Sequence, residues 1–160
     1  MEEVFKTGLL ILLIFITFAY LFYFLTRPKE RYIVVDSILT PAELKFYRAL
    51  KEVSEDLVIF AKVRVADILN VDSKKAKGNY LKYFNRIAKK HVDFLLCEPE
   101  TLRPIMAIEL DDRSHEREDR IKRDRFLDRA FEMAGLPLVR VKVSSKYEGR
   151  ELKRLIENAK

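Results

Sequence analysis

From residue 8 to residue 26 the chain carries no charge: GLLILLIFITFAYLFYFLT. As an α-helix at about 1.5 Å per residue this run measures roughly 28 Å, close to the hydrocarbon thickness of a bilayer. Lipid offers no partner to a backbone N–H or C=O, so a segment placed there must close its hydrogen bonds internally, as a helix does. A cleaved signal peptide would need a basic n-region and a small-x-small site. Here the n-region, MEEVFK, is hardly basic and no such site follows. The expectation is a retained anchor over 1–26. Arg27, Lys29 and Arg31 follow the run, whereas Lys6 and the amino terminus precede it. The positive-inside rule then predicts a single-pass protein of the inner (cytoplasmic) membrane with its C-terminal domain in the cytoplasm. Tyr20, Phe22 and Tyr23 would lie toward that interface. The single cysteine, Cys97, excludes an internal disulfide and agrees with a reducing compartment.

Past the anchor, residues 27–38 read as a basic tether with a short extended run at 32–35, and residues 39–160 as one domain of ordinary size. The net charge is +6, and since the first 26 residues hold Glu2 and Glu3 against Lys6, that excess lies beyond the anchor. A basic domain favours polyanions or an anionic membrane surface. LTPAEL opens a helix with several agreeing signals: Thr40 as N-cap, Pro41 at the first helical position, Glu43 completing a Thr-x-x-Glu box, and Leu39 stapling to Leu44. Phe46, Leu50 and Val53 share a face, predicting an inward-packed helix to about residue 55. Residues 57–65 are rich in β-branched side chains and predict a strand with Lys62 and Arg64 on the face of Phe60. DSKKAKG at 72–78 is a polar loop. The spacing over 79–90 predicts a helix with Leu81, Phe84 and Ile87 or Ala88 inward, leaving Lys82, Arg86, Lys89 and Lys90 outward. Those four cations are either a solvated face or contacts to nucleic-acid phosphates, with Tyr80 and Tyr83 near enough to stack on bases. A helix over 117–134 buries Ile121, Leu127, Ala130, Phe131 and Ala134 and stops at Gly135. LPLVRVKV is a strand, and a helix over 145–159 turns Leu152, Leu155 and Ile156 inward. There is no internal repeat, no glycine-rich phosphate loop and no Cys/His spacing suited to zinc.

The chemistry concentrates in HVDFLLCEPETLRPIMAIELDDRSH, residues 91–115. Two apolar runs, 92–96 and 105–110, flank Glu-Pro-Glu-Thr, so the segment reads as a β-hairpin with its loop near Thr101. That register sets Asp93 across from Glu109, and alternation puts Asp111 on the face of Glu109. Three carboxylates then crowd one patch. At about 5 Å and an effective dielectric of about 20, Coulomb's law sets roughly 3 kcal/mol against one such pair. Two remedies are open: a divalent cation that turns repulsion into coordination, or a neighbouring Arg or Lys such as Lys62.

The order helix, strand, hairpin with Asp on its first strand and Glu-x-Asp on its second, helix, strand resembles the PD-(D/E)XK nuclease core. IELDDRSH followed by RDRFLDRAFEMAGLPLVRV is similar to the Vsr-like branch of that superfamily. LTPAE, FNRIAKKHVDF and CEPETLRPIMAIELDD together resemble an uncharacterised bacterial domain family placed in it. The resemblance covers about residues 39–143. It implies an α/β, restriction-endonuclease-like core, with a mixed sheet around a central hairpin, behind the transmembrane helix. It also implies Asp93, Glu109 and Asp111 as acids for Mg²⁺ (or Mn²⁺), and His115 as the histidine six positions after the glutamate. A metal held there would acidify a water, and His115 or Asp111 would relay the proton. The superfamily's usual lysine, two positions after the glutamate, is Asp111 here, as in the Vsr-like branch, and Asp112 stands where that branch has glycine. Lys62, Lys89 and Lys122 are each able to supply a lysine from a neighbouring element, and Glu43 matches the glutamate that superfamily members often carry on the first helix, although its capping box explains it without a site. His91, Cys97 and Arg140 read as structural, with phosphate contact the lesser alternative for Arg140. The expected function is a membrane-anchored, metal-dependent nuclease acting on DNA or RNA; the alternative is a non-catalytic module that binds nucleic acid or a protein at the membrane.

Overall fold

The computed structural model describes residues 1–27, 31–54, 56–111 and 118–158, with side chains of its longest globular-unit helix placed from residue 125 onward. The chain divides into two compact units, Met1–Asp36 and Ser37–Lys160. The first holds α1 (Glu2–Thr26), which is long and apolar enough to cross a membrane. The threonines of α1 turn their hydroxyls onto carbonyls one turn back: Thr7 donates to Glu3, Thr17 to Leu13 and Thr26 to Phe22. Each hydroxyl proton is thereby satisfied within the helix, as an apolar solvent requires.

The second unit is a mixed α/β domain. α2 (Pro41–Val53) begins as the sequence predicts: the Glu43 N–H donates to Thr40 Oγ1 at 3.3 Å, and the Thr40 N–H donates to the Glu43 carboxylate at 2.9 Å. Then come β1 (Val58–Arg64), the short helices α3 (Val65–Ile68) and α4 (Ser73–Ala76), α5 (Tyr80–Ile87), β2 (His91–Cys97) and β3 (Pro104–Asp111). α6 (Glu118–Ala134), β4 (Leu138–Lys142) and α7 (Gly149–Glu157) complete it. The sheet order is β1-β2-β3-β4, antiparallel from β1 through β3 and parallel between β3 and β4. A parallel neighbour needs a crossover, and α6 lies within it. The hairpin closes in the predicted register, with Phe94 opposite Ile108, Leu95 opposite Ala107 and Leu96 opposite Met106.

Alternation along β2 divides the interior in two. Phe94 and Leu96 pack with Met106, Ile108, Phe46 and Leu50 of α2 and Leu152 and Ile156 of α7. Leu95 and Cys97 pack on the other side with Ala107 and with Leu127 and Phe131 of α6. The sheet is therefore sandwiched between α2 with α7 and α6. Phe46 fixes the first layer, its ring 5.4 Å from Phe94 and edge-on to Tyr147 at 5.0 Å.

Four expectations are corrected. Ala134 is exposed rather than buried, because the inward stripe of α6 ends at Phe131. Leu81 is 70% exposed rather than inward, because burial rises along α5 through half-buried Phe84 to buried Ile87, and only the last turn meets the core. The last helix starts at Gly149, not 145; the preceding loop turns Tyr147 onto Phe46 and lets its hydroxyl accept the Ser144 N–H. Alternation also breaks where β1 and β2 cross at Lys62 and Asp93. Ala61 and Phe94 belong to the α2 layer, whereas Val63 and Val92, two residues along, belong to the α6 layer. The register holds across the break, and Lys62 absorbs the turn with a left-handed φ of 55°.

Candidate active site

The acids of the hairpin meet two cations. Asp93, on β2, is pinned at both oxygens: Oδ2 accepts the Leu110 N–H of β3 at 2.9 Å, and Oδ1 accepts from Lys62 Nζ at 3.0 Å. The same Lys62 amine donates to Glu43 Oε1 of α2 at 2.5 Å. Because the Asp93 carboxylate is bonded to the residue next to Glu109, it is held against the acidic end of β3. Lys62 reaches both acids from the distorted point of β1, so the backbone irregularity and the ion-pair node coincide. Burial pushes the Glu43 carboxyl upward, but the Lys62 amine and the Thr40 N–H outweigh it and hold the group below the ordinary glutamate range. Burial likewise pulls Lys62 down, and Glu43 and Asp93 together raise it above the ordinary lysine value.

The second node is built across β3, β4 and α6. The β3–β4 register places Arg140 beside Glu109, and its Nη1 donates to Glu109 Oε2 at 2.6 Å. Glu109 is one of the two buried polar residues in the described chain, at 5% exposure, and a buried carboxylate stays ionised only with a cation or several donors beside it. The same guanidinium lies 3.7 Å from Asp111 and donates through Nη2 and Nε to Asp128 of α6 at 3.0 and 3.3 Å.

The crowding foreseen on the hairpin is thus resolved by two cations, one of them Lys62. Among the described residues no group of three or more His, Cys, Asp or Glu side chains is arranged to hold a metal ion. Mg²⁺ can bind through one or two carboxylates with water and substrate phosphate completing its shell, so an ion at either acid would compete with the Lys62 or Arg140 cation already beside it. Asp93 and Glu109 are neighbours in register, one residue past the Phe94–Ile108 pair, but each carboxylate is taken up by a different cation, Asp93 by Lys62 beside α2 and Glu109 by Arg140 beside α6.

The remaining candidates are dispersed. His115 and Asp112 lie outside the described residues, as does the side chain of Lys122, which sits in the first turns of α6. Lys82 is exposed on α5, and Lys89 is exposed just beyond it. Arg86 lays its guanidinium 4.1 Å over the Phe126 ring of α6, and the Lys90 carbonyl accepts the Val65 N–H, stitching α5 to the body of the domain. Cys97 is buried and burial raises its thiol pKa; His91 is exposed opposite Arg64. The part Arg140 and Asp128 play was not drawn from the sequence. LVRVK does put Arg140 on the face of Leu138, but its partner across β3 depends on a parallel register that no short stretch encodes.

A family model described as "Protein of unknown function (DUF2726)" matches residues 35–159. No curated protein and no solved structure matches.

Proposed function

This chain belongs to the DUF2726 family, and from that premise we propose that it is a membrane-anchored, metal-dependent phosphodiesterase of the PD-(D/E)XK, Vsr-like type, acting on DNA or RNA. The observation that carries the reading is Asp93 pinned to the Leu110 N–H beside Glu109, on the two central strands of a four-stranded mixed sheet, with Glu43 of α2 joined to Asp93 through Lys62. Asp93 and Glu109 are the acids for Mg²⁺ or Mn²⁺, which when bound acidifies a water and neutralises charge gathering on the phosphodiester. Lys62 takes the place of the lysine missing two positions after Glu109, its amine already against Asp93. Asp111, half exposed beside Arg140, and His115 are the candidates for moving a proton. Lys82, Arg86, Lys89 and Lys90 belong to a stretch, 73–92, with seven Lys or Arg and no acid, suited to hold a phosphate backbone. Orientation across the inner membrane, with the domain in the cytoplasm, completes the proposal and rests on Arg27, Lys29 and Arg31.

The test uses the full chain in detergent with single- and double-stranded DNA and RNA, with Mg²⁺ or Mn²⁺. Cleavage that requires metal and disappears in Asp93→Asn and Glu109→Gln is the expected outcome. Cleavage that persists in a folded Asp93→Asn protein sinks the reading. One observation favours the second reading, a non-catalytic binding module: both acids already have cationic partners. It predicts nucleic-acid binding without cleavage, with each lost lysine contact to duplex DNA lowering the salt slope by about 0.9.

A further inference from the structure

We infer that the α4–α5 corner, residues 73–83, is a second membrane contact, which docks the globular domain on anionic lipid headgroups. The inference rests on α1 lying in a bilayer and is independent of the cleavage reading.

Lys74, Lys75, Lys77 and Lys82 stand exposed on this corner, in a stretch without an acid from residue 73 to residue 92. The acids of the neighbouring short helices are already engaged. Asp72 accepts the Lys74 and Lys75 N–H groups at the start of α4, at 3.0 and 3.2 Å, and lies 3.9 Å from the Lys75 amine. Asp67 of α3 accepts from Arg64 at 2.5 and 3.1 Å. Among the described residues Lys74, Lys77 and Lys82 have no ion-pair partner, so their charge is open to an anionic surface. Charge alone suits any polyanion, and the apolar side chains among the lysines choose between them. Leu81 is 70% exposed, with Tyr80 and Tyr83 at 38% and 41%. A phosphate backbone gives an aliphatic side chain no apolar surroundings. The headgroup boundary takes leucine toward the acyl chains, holds tyrosine with its hydroxyl in water, and lets lysine stems lie along it. The backbone adds an independent sign: Lys77 holds a left-handed φ of 44° directly before Gly78 at 81°. Glycine would sit at residue 77 without strain, so the amine there comes at a backbone cost. The anchor makes a weak patch sufficient. Residues 27–38 reach at most about 40 Å, so the lipid surface stands at high effective concentration and docking is an intramolecular step.

The chain has no tryptophan, so Leu81→Trp supplies a single fluorophore within the patch. The full-length variant is placed in nanodiscs of phosphatidylcholine, alone or mixed with phosphatidylglycerol, whose acyl chains carry bromine as a quencher. Strong quenching in the anionic discs alone, relieved as salt rises from about 0.1 M to about 1 M, is the expected result. In the same background Lys74→Gln, Lys75→Gln and Lys77→Gln should each lower the docked-to-free ratio about fivefold. Lys77→Gly should lower it as much while raising the urea midpoint, a combination that damage to the fold does not give. Quenching that is equal in the two lipids, or unmoved by the lysine substitutions, overturns the docking. If the three glutamine substitutions together weaken oligonucleotide binding in detergent and leave quenching unchanged, the corner is a nucleic-acid surface instead. Should Leu81→Trp not fold, the wild-type chain decides: its α5 amides must exchange with deuterium more slowly in anionic than in neutral discs, and equal rates overturn the docking. Metal-dependent cleavage in detergent is untouched by either result, so the two readings fail separately.

Discussion

Lys62 holds a backbone conformation that disfavours any side chain bearing a Cβ, by about 1–2 kcal/mol. What it gains there is an amine shared between Glu43 and Asp93, and the two effects are separable by substitution. Lys62→Ala loses the amine and keeps the strain; Lys62→Gly loses the amine and relieves it. The glycine variant should therefore unfold at higher urea concentration than the alanine variant, by about 1 kcal/mol. Equal midpoints would mean that the left-handed turn is not a feature of the folded chain. The same node predicts a pH dependence. The folded Glu43 carboxyl lies below its ordinary 4.5, so its contribution is complete above that pH and fades as pH falls through the lowered value. The Lys62 amine lies above its ordinary 10.5, so its contribution is complete below that pH and fades as pH rises through the raised value. The stability difference between wild type and Lys62→Gln should thus be level from about pH 5 to pH 10 and shrink at both ends. A difference that grows in acid reverses the sign and removes the ion pair as its source.

At the scale of elements, the helix ends show what a local pattern can specify. α6 stops in a Schellman arrangement: the Gly135 N–H donates to Glu132 and the Leu136 N–H to Phe131, with Gly135 at φ 69°. Gly135→Ala should cost about 1 kcal/mol in a thermal or urea melt, since the added Cβ meets no neighbouring atom and only the dihedral is penalised. A neutral result would place the residue outside the left-handed region. Glu43 separates two roles on α2. Glu43→Gln keeps an oxygen for the Thr40 N–H but removes the charge facing Lys62, so stability should fall by less than in Glu43→Ala, while metal-dependent cleavage, if Glu43 serves the site, falls in both. Thr40, Pro41, Glu43 and Gly135 were legible in sequence because each acts over four or five residues. The hairpin register was legible because one turn links its two strands. Lys62 was legible as a cation for the acidic patch but not as a left-handed residue, because strand propensity at 57–65 carries no mark of one. Leu81 misled because helical spacing identifies a face but not how far along the helix the core extends. Arg140 and Asp128 find Glu109 only after the chain crosses from β3 to β4, and that long-range pairing is a property of the assembled sheet.

The molecule as a whole joins a helix able to cross a membrane to a basic α/β domain, and the direction of crossing decides whether the proposed chemistry can meet its substrate. Before the span stand Lys6 and the amino terminus; Lys6 is bonded to Glu2 at 2.8 Å and lies 3.4 Å from Glu3. After it stand Arg27, Lys29 and Arg31. Moving one elementary charge through the membrane potential is worth about 2.3 kcal/mol per 100 mV, so three cations on one flank would give a strong bias toward keeping that flank in the cytoplasm. In membrane vesicles from cells making the full chain, a tag after Lys160 should resist protease in right-side-out vesicles and be cleaved in inverted ones. Glu2→Lys and Glu3→Lys combined with Arg27→Asn, Lys29→Asn and Arg31→Asn should move a measurable fraction of the tag to the other side. If the wild-type tag is digested from outside, Asp93, Glu109 and the cations around them face a compartment without the cell's own DNA and RNA. The phosphodiesterase proposal would then require an incoming nucleic acid as substrate, so this one orientation measurement constrains the function as firmly as a cleavage assay.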